Sequence, residues 1–229
     1  MLNFCRMKNI SGYSTELLLL VVLLLLMRPA AGQDTLRTYG PRLGVDLARF
    51  AYLFADPAQT GAEISLDAEL YPNLYPVMEA GYNRISEPGD LFDYTSAGTY
   101  ARLGADYNIL PMDDRSVHHT ITGGVRYGVS FFSHRAEKIR IPGDYWGDYI
   151  LDSYSNSLTG HWLELVVAAR TEVAPNFFLG WSVRYKILLT PHMDDRVTPR
   201  LVPGYGRGSI EREFGFTYHI MYKIPVMKQ

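Results

Sequence analysis

Apolar and polar side chains alternate with a period of two residues along most of this chain. Between positions 62 and 70, for example, apolar residues at even numbers alternate with three acids and Ser65 at odd numbers. Because successive side chains of a strand point to opposite faces, this pattern predicts strands with one apolar and one polar face. Eight such segments occur, at about 43–50, 62–70, 77–86, 101–108, 121–131, 161–170, 179–187 and 213–224.

The lengths of these segments and of their connections indicate a membrane barrel. A tilted strand of about ten residues crosses a bilayer, and an even number of strands closes into a barrel. The connections alternate, since 87–97, 133–160 and 190–208 are long while 111–118 and 174–176 are shorter. No apolar run approaching the length of a spanning helix follows residue 32. We therefore predict an all-β fold, an eight-stranded antiparallel transmembrane barrel of the outer-membrane type.

The polar faces of these strands carry many charges, which such a barrel turns towards its interior. An eight-stranded barrel is filled by its own side chains, and an unpaired buried charge costs several kcal/mol. A proton or ion pathway is the alternative interpretation of these charges. We predict an interior network of ion pairs, with His219 nearby, formed by Glu63, Asp67, Glu69, Glu79, Arg102, Asp106, Arg126, Glu164, Arg170, Arg184, Lys186 and Glu213.

The first 32 residues have the features of an export signal. Arg6 and Lys8 precede an apolar run at 17–27, and three small residues follow at 30–32. The run is shorter than the roughly 20 residues of a spanning helix, although an uncleaved anchor is the alternative. We predict a signal peptide at residues 1–32, cleaved after Gly32, and a barrel at 33–229.

The amino-acid composition of the chain limits the kinds of molecule that we expect it to bind. The chain has 17 Tyr, 10 Phe and 3 Trp, which suits the aromatic girdles of a membrane barrel but also a soluble β-sandwich. Its formal net charge of −2 does not favour nucleic-acid binding, which needs a clustered basic surface. Its single cysteine, Cys5, lies in the predicted signal. We expect outer-membrane lipids and other outer-membrane proteins as partners, and neither nucleic acid, nucleotide nor cofactor.

The histidines are the candidates for catalysis, because some small outer-membrane barrels are lipid-modifying enzymes. His134, His161 and His192 all fall near the long connections, but no spacing fixes a triad with hydrogen-bonded partners. The neighbours His118 and His119 would point to opposite faces of a strand, which disfavours a joint metal site. We therefore predict no catalytic and no metal residues.

The longest connection, 133–160, is rich in aromatic residues. Exposed aromatics at this density mark contact surfaces, so Tyr145, Trp146, Tyr149 and Tyr154 are predicted to contact a partner. The alternative is a loop that folds down and plugs the barrel. The last long connection, 190–208, is rich in Gly and Pro and is expected to be extended.

Three stretches carry a resemblance to a known family: Tyr-Gly-Pro-Arg-Leu-Gly-Val-Asp at 39–46, Tyr-Asn-Arg at 82–84 and Ile-Pro-Gly-Asp-Tyr at 141–145. Over about 39–224 the chain resembles an uncharacterised family of small outer-membrane β-barrel proteins from Bacteroidota. The resemblance implies an outer-membrane location and a barrel fold, and it brings no catalytic residues.

The functional expectation follows from the filled interior. A barrel filled by its own side chains does not transport, so it must act through its surfaces. We expect a structural or interaction subunit of a larger outer-membrane complex, such as the machinery for barrel assembly or surface-protein export. The alternatives are a lipid-modifying enzyme and a small-ligand-binding barrel.

Overall fold

A computed structural model describes residues 40–49, 58–89, 91–110, 119–141, 149–151, 153–191, 193–194 and 196–226. The predicted signal peptide at 1–32 lies outside these ranges. No helix in the described ranges is long and apolar enough to cross a membrane. The strands are β1 Arg42–Asp46, β2 Gln59–Asp67, β3 Leu74–Glu87, β4 Asp93–Asn108, β5 His119–Glu137, β6 Ile139–Ile141, β7 Tyr149–Leu151, β8 Tyr154–Ala174, β9 Phe177–Leu188 and β10 Arg212–Lys223.

Eight of these strands form a closed barrel in the order β1-β10-β9-β8-β5-β4-β3-β2. Every neighbouring pair is antiparallel. The short strands β6 and β7 form a separate two-stranded sheet between β5 and β8. The prediction of an eight-stranded antiparallel barrel is therefore confirmed for the described part of the chain.

The burial pattern is the inverse of that of a water-soluble barrel. Along β2 and β3, the apolar Ile64 and Met78 are each 56% exposed, whereas Glu63 and Glu79 are 1% and 4% exposed. The same alternation runs along β5 and β8, where Val125 and Leu165 face outward. Along these parts of the strands, the outer surface is therefore apolar and the inner surface is charged.

The connections divide the barrel into two ends. At the turn end lie the connections 68–73, 109–118 and 175–176, and at the loop end lie 47–58, 88–92, 138–153 and 189–211. In two of the turns an asparagine follows a proline and has a positive φ, 68° at Asn73 and 66° at Asn176. Asparagine tolerates this left-handed conformation better than most residues. In each turn the Asn backbone N–H donates to a Glu four residues earlier, Glu69 or Glu172.

The strands at the loop end are longer than predicted. β4 begins at Asp93, β5 ends at Glu137 and β8 begins at Tyr154. The described parts of the predicted long loops at 87–97 and 133–160 are therefore largely strand. The prediction failed there because the outward residues of these extensions, such as Ser133 and Ser157, are polar, so the apolar alternation stops before the strands do.

Candidate functional site: the filled lumen

Arg102, on β4, is at the centre of the charged lumen. Its guanidinium lies 2.5 Å from Glu63, 2.9 Å from Glu79 and 3.3 Å from Glu164. All four side chains are almost completely buried. Three strands on one side and β8 on the other each place a charge at this level, so the contacts cross the barrel as well as the neighbouring strands.

Arg184, on β9, contacts two of these carboxylates, Glu79 across the barrel and Glu164 on the neighbouring strand. Its two terminal nitrogens lie 2.6 and 2.9 Å from the two oxygens of Glu79, a bidentate pair. One of them also lies 3.2 Å from Glu164. Trp162 donates from its indole nitrogen to Glu164 at 2.7 Å, and Gly128 on β5 leaves the space that this indole fills.

A second group of ion pairs lies nearer the turn end. Asp106 is 3.1 Å from Arg126 and 2.5 Å from Arg170, and Asp67 is 2.6 Å from Arg42. Arg126 also reaches Glu79 at 3.3 Å, which joins the two groups. We call the part of the lumen that holds both groups the turn half.

The structure buries ten of the twelve predicted interior charges in the lumen. The two others, Glu69 and Glu213, are only half-buried and lie at opposite ends of the barrel. Glu69 follows the end of β2 and accepts a hydrogen bond from Asn73 in the turn. Glu213 is at the loop end of β10, where it accepts the backbone N–H of Arg207 at 2.7 Å. For Glu69 the alternation continued in phase beyond the end of β2, whereas Glu213 keeps an inward position with its carboxylate against Gly206.

Three lumen charges were not among the predicted residues: Arg42, Asp46 and Arg49. Arg42 and Asp46 share the inward face of β1 with Gly44, so the period of two could have identified them. Arg49 comes from a helical turn after β1 and reaches Glu63 at 2.9 Å, and no strand periodicity predicts it.

Asp46, Glu63 and His219 are close enough to be tested as a metal site. Their candidate ligand atoms all lie within 4.8 Å of one another. However, Arg49 lies 3.5 Å from Asp46, and both Arg49 and Arg102 contact Glu63. Two guanidinium groups thus already neutralise the carboxylates that a cation would need, so the cluster belongs to the ion-pair network.

The loop half of the lumen is filled by a different kind of contact. The connection 189–211 folds into the barrel and packs against the strands there. Its Val202 and Tyr205 are almost fully buried, and Tyr205 donates to Ile210 O at 2.6 Å. Burial raises the pKa of Tyr205 to about 12, with nearby Glu213 adding to the effect. The loop half is lined by Tyr100, Phe132, Trp162, Leu188, Val202 and Tyr205.

Polar anchors hold this connection in place, and we call residues 200–206 the plug. Lys186 donates from Nζ to the backbone oxygens of Gly204 at 2.9 Å and Tyr205 at 2.7 Å. Ser96 donates to Leu201 O at 3.0 Å. Gly204 has a φ of 79° and lies against the ring of Tyr100, where a side chain would not fit. The expectation that 190–208 is extended was therefore wrong.

At the rim of the loop end, five polar groups surround the carboxylate of Asp194, including the backbone N–H of Val197 at 3.4 Å. Its carboxylate accepts from Tyr154 Oη at 2.9 Å and Asn156 Nδ2 at 3.1 Å, and from the backbone of Arg196 at 2.9 Å. His134 Nε2 lies 2.9 Å from it. Burial alone would raise the pKa of Asp194, but these hydrogen bonds outweigh it and hold the pKa well below its usual range.

The candidate catalytic histidines do not come together. His134 is buried on the inward face of β5, bound to Asp194. His161 faces outward on β8, where its ring stacks on Tyr127 and lies 2.8 Å from the phenol oxygen. His192 lies outside the described residues.

The four aromatic residues predicted to contact a partner also differ in where they lie. Tyr154 is half-buried and donates to Asp194, so its hydroxyl already has a partner within the chain. Tyr149 belongs to β7. Tyr145 and Trp146 lie outside the described residues.

Comparisons with known proteins assign the chain to a family and show similarity to proteins of known structure. A family model described as "Domain of unknown function (DUF6048)" matches residues 10–229. No curated protein matches. Among solved structures, the chain is similar to Ail, the attachment invasion locus protein of Yersinia pestis, at 11% identity and a TM-score of 0.41, covering 82% of this chain and 99% of that one.

Two further structures are similar. Neisserial surface protein A matches at 10% identity and a TM-score of 0.39, covering 82% of this chain and 96% of that one. Acinetobacter baumannii CarO matches at 10% identity and a TM-score of 0.43, covering 83% and 99%. Likeness at this level carries no information about function.

Proposed function

We propose that this chain, which belongs to the DUF6048 family, is an integral outer-membrane barrel. In this proposal it acts as a structural or interaction subunit of a larger outer-membrane complex, and not as a pore. The observation that carries the proposal is the lumen, which is filled at two levels by two different means. Because its interior is occupied, we infer that the barrel interacts with other molecules through its outer wall and its loop end.

The outer wall supports the membrane location. Large apolar side chains cover it on every barrel strand, including Leu43, Ile64, Met78, Leu103, Val125, Leu165, Val183 and Phe216. A monomer in water rarely exposes a contiguous apolar patch larger than a few hundred Å². A closed barrel satisfies its backbone hydrogen bonds internally, as a hydrocarbon environment requires. The predicted signal at 1–32 agrees with export to the outer membrane.

The filling of the lumen argues against transport and against binding a small molecule inside. In the turn half, charges from facing strands meet at ion-pair distances, as Arg184 on β9 does with Glu79 on β3 at 2.6 Å. In the loop half, Val202 and Tyr205 close the path. An open channel would require both layers to move apart, with loss of the ion pairs in one and of buried apolar area in the other.

The histidine geometry argues against the alternative of a lipid-modifying enzyme. A general base must lie within hydrogen-bond reach of the group it activates. Of the two candidate histidines that the structure describes, His134 is enclosed within the barrel and His161 faces outward, so they stand on opposite sides of the wall and do not share a site.

Purification of the tagged full chain from native membranes in a mild detergent tests the proposal. We expect it to migrate in an assembly with other outer-membrane proteins, at fixed stoichiometry. The matched control is another tagged small barrel, expressed at the same level, which should migrate alone. Migration of this chain as a monomer in native membrane extracts, or open-channel conductance of the purified chain in planar bilayers, would contradict the proposal.

A further inference from the structure

The strand β8 is longer than its neighbour β9, and this leaves part of one edge without a strand partner. On one side, β8 pairs with β5 as far as Tyr154, opposite Ala136. On the other side, its pairing with β9 ends at Trp162, opposite Leu188. Among the residues that the structure describes, 154–160 therefore pair along one edge only. We call the other edge of this segment the free edge.

The backbone geometry tells which residues present hydrogen-bonding groups to the free edge. Leu189 N–H donates to His161 O at 2.8 Å, and His161 N–H donates to Thr190 Oγ1 at 3.0 Å. Both backbone groups of His161 thus face the side of β9. Because these directions alternate along a strand, the N–H and C=O groups of Thr159, Ser157 and Ser155 face the same side.

The described residues of the connection that follows β9 run beside β8 without pairing with the backbone of the free edge. The connection turns into the lumen, where Lys186 holds the plug. Within the described part of 189–211, no backbone group hydrogen-bonds to residues 155–159. The contacts with this part of β8 are made on its inward face, as from Asn156 to Asp194.

The free edge also lacks the features by which proteins protect exposed edges. Such edges usually carry a Lys, a Pro or a bulge, or are covered. Residues 154–160 read Tyr-Ser-Asn-Ser-Leu-Thr-Gly and contain neither Lys nor Pro. The register irregularity of β8 lies at its other end, between Glu172 and Ala174.

The position of the free edge places it in water and not in lipid. The outward residues next to it, Ser155, Ser157 and Thr159, are exposed and polar. The outward apolar positions of β8 begin beyond them, at Leu163 and Leu165. Ser155 and Ser157 therefore project past the apolar band on the side of the loops, whereas Thr159 lies at its border, opposite the outward Phe131.

We propose that the free edge of β8 binds an extended, uncharged segment of another polypeptide as an added strand. The inference rests on the proposed function, and it names the surface through which the interaction subunit acts. Only an extended backbone offers donors and acceptors at the spacing of Ser155, Ser157 and Thr159. The edge segment holds no charge, so an uncharged strand pairs with it without desolvating an ion, and Thr or Val suits positions opposite its hydroxyl groups.

The test uses a defined probe, the peptide acetyl-Thr-Val-Thr-Val-Thr-Val-Thr-amide, with the purified full chain in mild detergent. Hydrogen–deuterium exchange of the proteolytic fragments that cover 153–160 is the readout. At a peptide concentration about ten times Kd, we expect exchange there to be about tenfold slower, with strands at the turn end unchanged. The same peptide N-methylated at alternate residues, which blocks its backbone donors, should have no effect.

The matched variants are Ser157→Pro and Ser157→Ala. Proline removes an N–H that faces the free edge and not β5, so it leaves the barrel pairing intact. Ser157→Pro should abolish the protection and Ser157→Ala should keep it. Should Ser157→Pro alter the circular dichroism of the barrel, the N-methylated peptide still decides the question.

Three outcomes would overturn the inference: no protection by the peptide, protection that Ser157→Pro leaves unchanged, or protection by the N-methylated peptide. So would a dimer of this chain in sedimentation that Ser157→Pro dissociates, since the occupant is then a second copy. The proposed function fails separately, when the chain purifies from membranes without partners although the peptide binds.

Discussion

The turn half of the lumen is filled by charged side chains of the strands themselves, whereas the loop half is filled largely by aromatic and aliphatic side chains, some brought in by a connection. Arg102 and Glu79 are fixed by the register of their strands, because Glu79 and Arg102 are direct cross-strand neighbours. Val202 and Tyr205 depend instead on the path of residues 189–211. The charges of the turn half belong to the strands themselves, whereas the plug of the loop half is held by hydrogen bonds that can break without unfolding the strands.

The two fillings also differ in what their loss would cost. A buried ion pair contributes little net stability when formed, but removal of one partner leaves an uncompensated buried charge. A plug held by hydrogen bonds and apolar contacts can leave the lumen and be hydrated. Breaking the turn half should therefore destabilise the whole barrel, whereas breaking the loop half should loosen the plug and leave the wall.

The largest expected effect is that of Arg102→Met. It leaves Glu63, Glu79 and Glu164 without their shared cation, and we expect the free energy of unfolding to fall by about 3–5 kcal/mol. Denaturant unfolding of the barrel in lipid vesicles measures it. The control is Arg84→Met, on the exposed outward face of β3, which should change stability by less than about 0.5 kcal/mol. Equal effects of the two variants would show that the network is not an electrostatic unit.

The turn half is also the part that the sequence predicted best. Glu63, Glu79 and Arg102 follow from the period of two, since a strand places alternate residues on one face. The same rule failed for Glu69, which continues the phase beyond the end of β2, and it did not show that Glu213 would contact the plug and not the strand charges. Periodicity says which face a residue is on, but not where along the strand the lumen ends.

The loop half could not be predicted in this way. The plug has no periodicity, and its glycines indicate turns without telling where the chain goes. Gly204 and Gly206 do adopt a positive φ, yet the same composition led to the expectation of an extended loop. The sequence also did not predict the free edge of β8. In that part of the strand the outward positions hold Ser155 and Ser157, so the apolar alternation that identified the other strands is absent.

A smaller and more local effect is expected from Lys186→Met. The variant keeps the shape of the side chain but leaves the carbonyls of Gly204 and Tyr205 without their donor, a cost of about 1–3 kcal/mol. Hydrogen–deuterium exchange should become faster in residues 200–208 while β3 and β4 at the turn end stay protected. Arg212→Met, on the exposed start of β10, is the control. Faster exchange throughout the barrel would contradict the division of the lumen into two independent fillings.

The smallest effect concerns pH at the rim. The hydrogen bonds to Asp194 hold its pKa below the usual value, so its contribution is fully present above about pH 4 and is lost as the pH falls through the lowered pKa. For a group near solvent we expect about 1 kcal/mol at most. Exchange in residues 189–200, corrected for the intrinsic rate, should be faster at pH 3 than at pH 5. Asp194→Asn should lack this difference, because the amide does not titrate; an equal difference in the variant would assign the effect to another carboxylate.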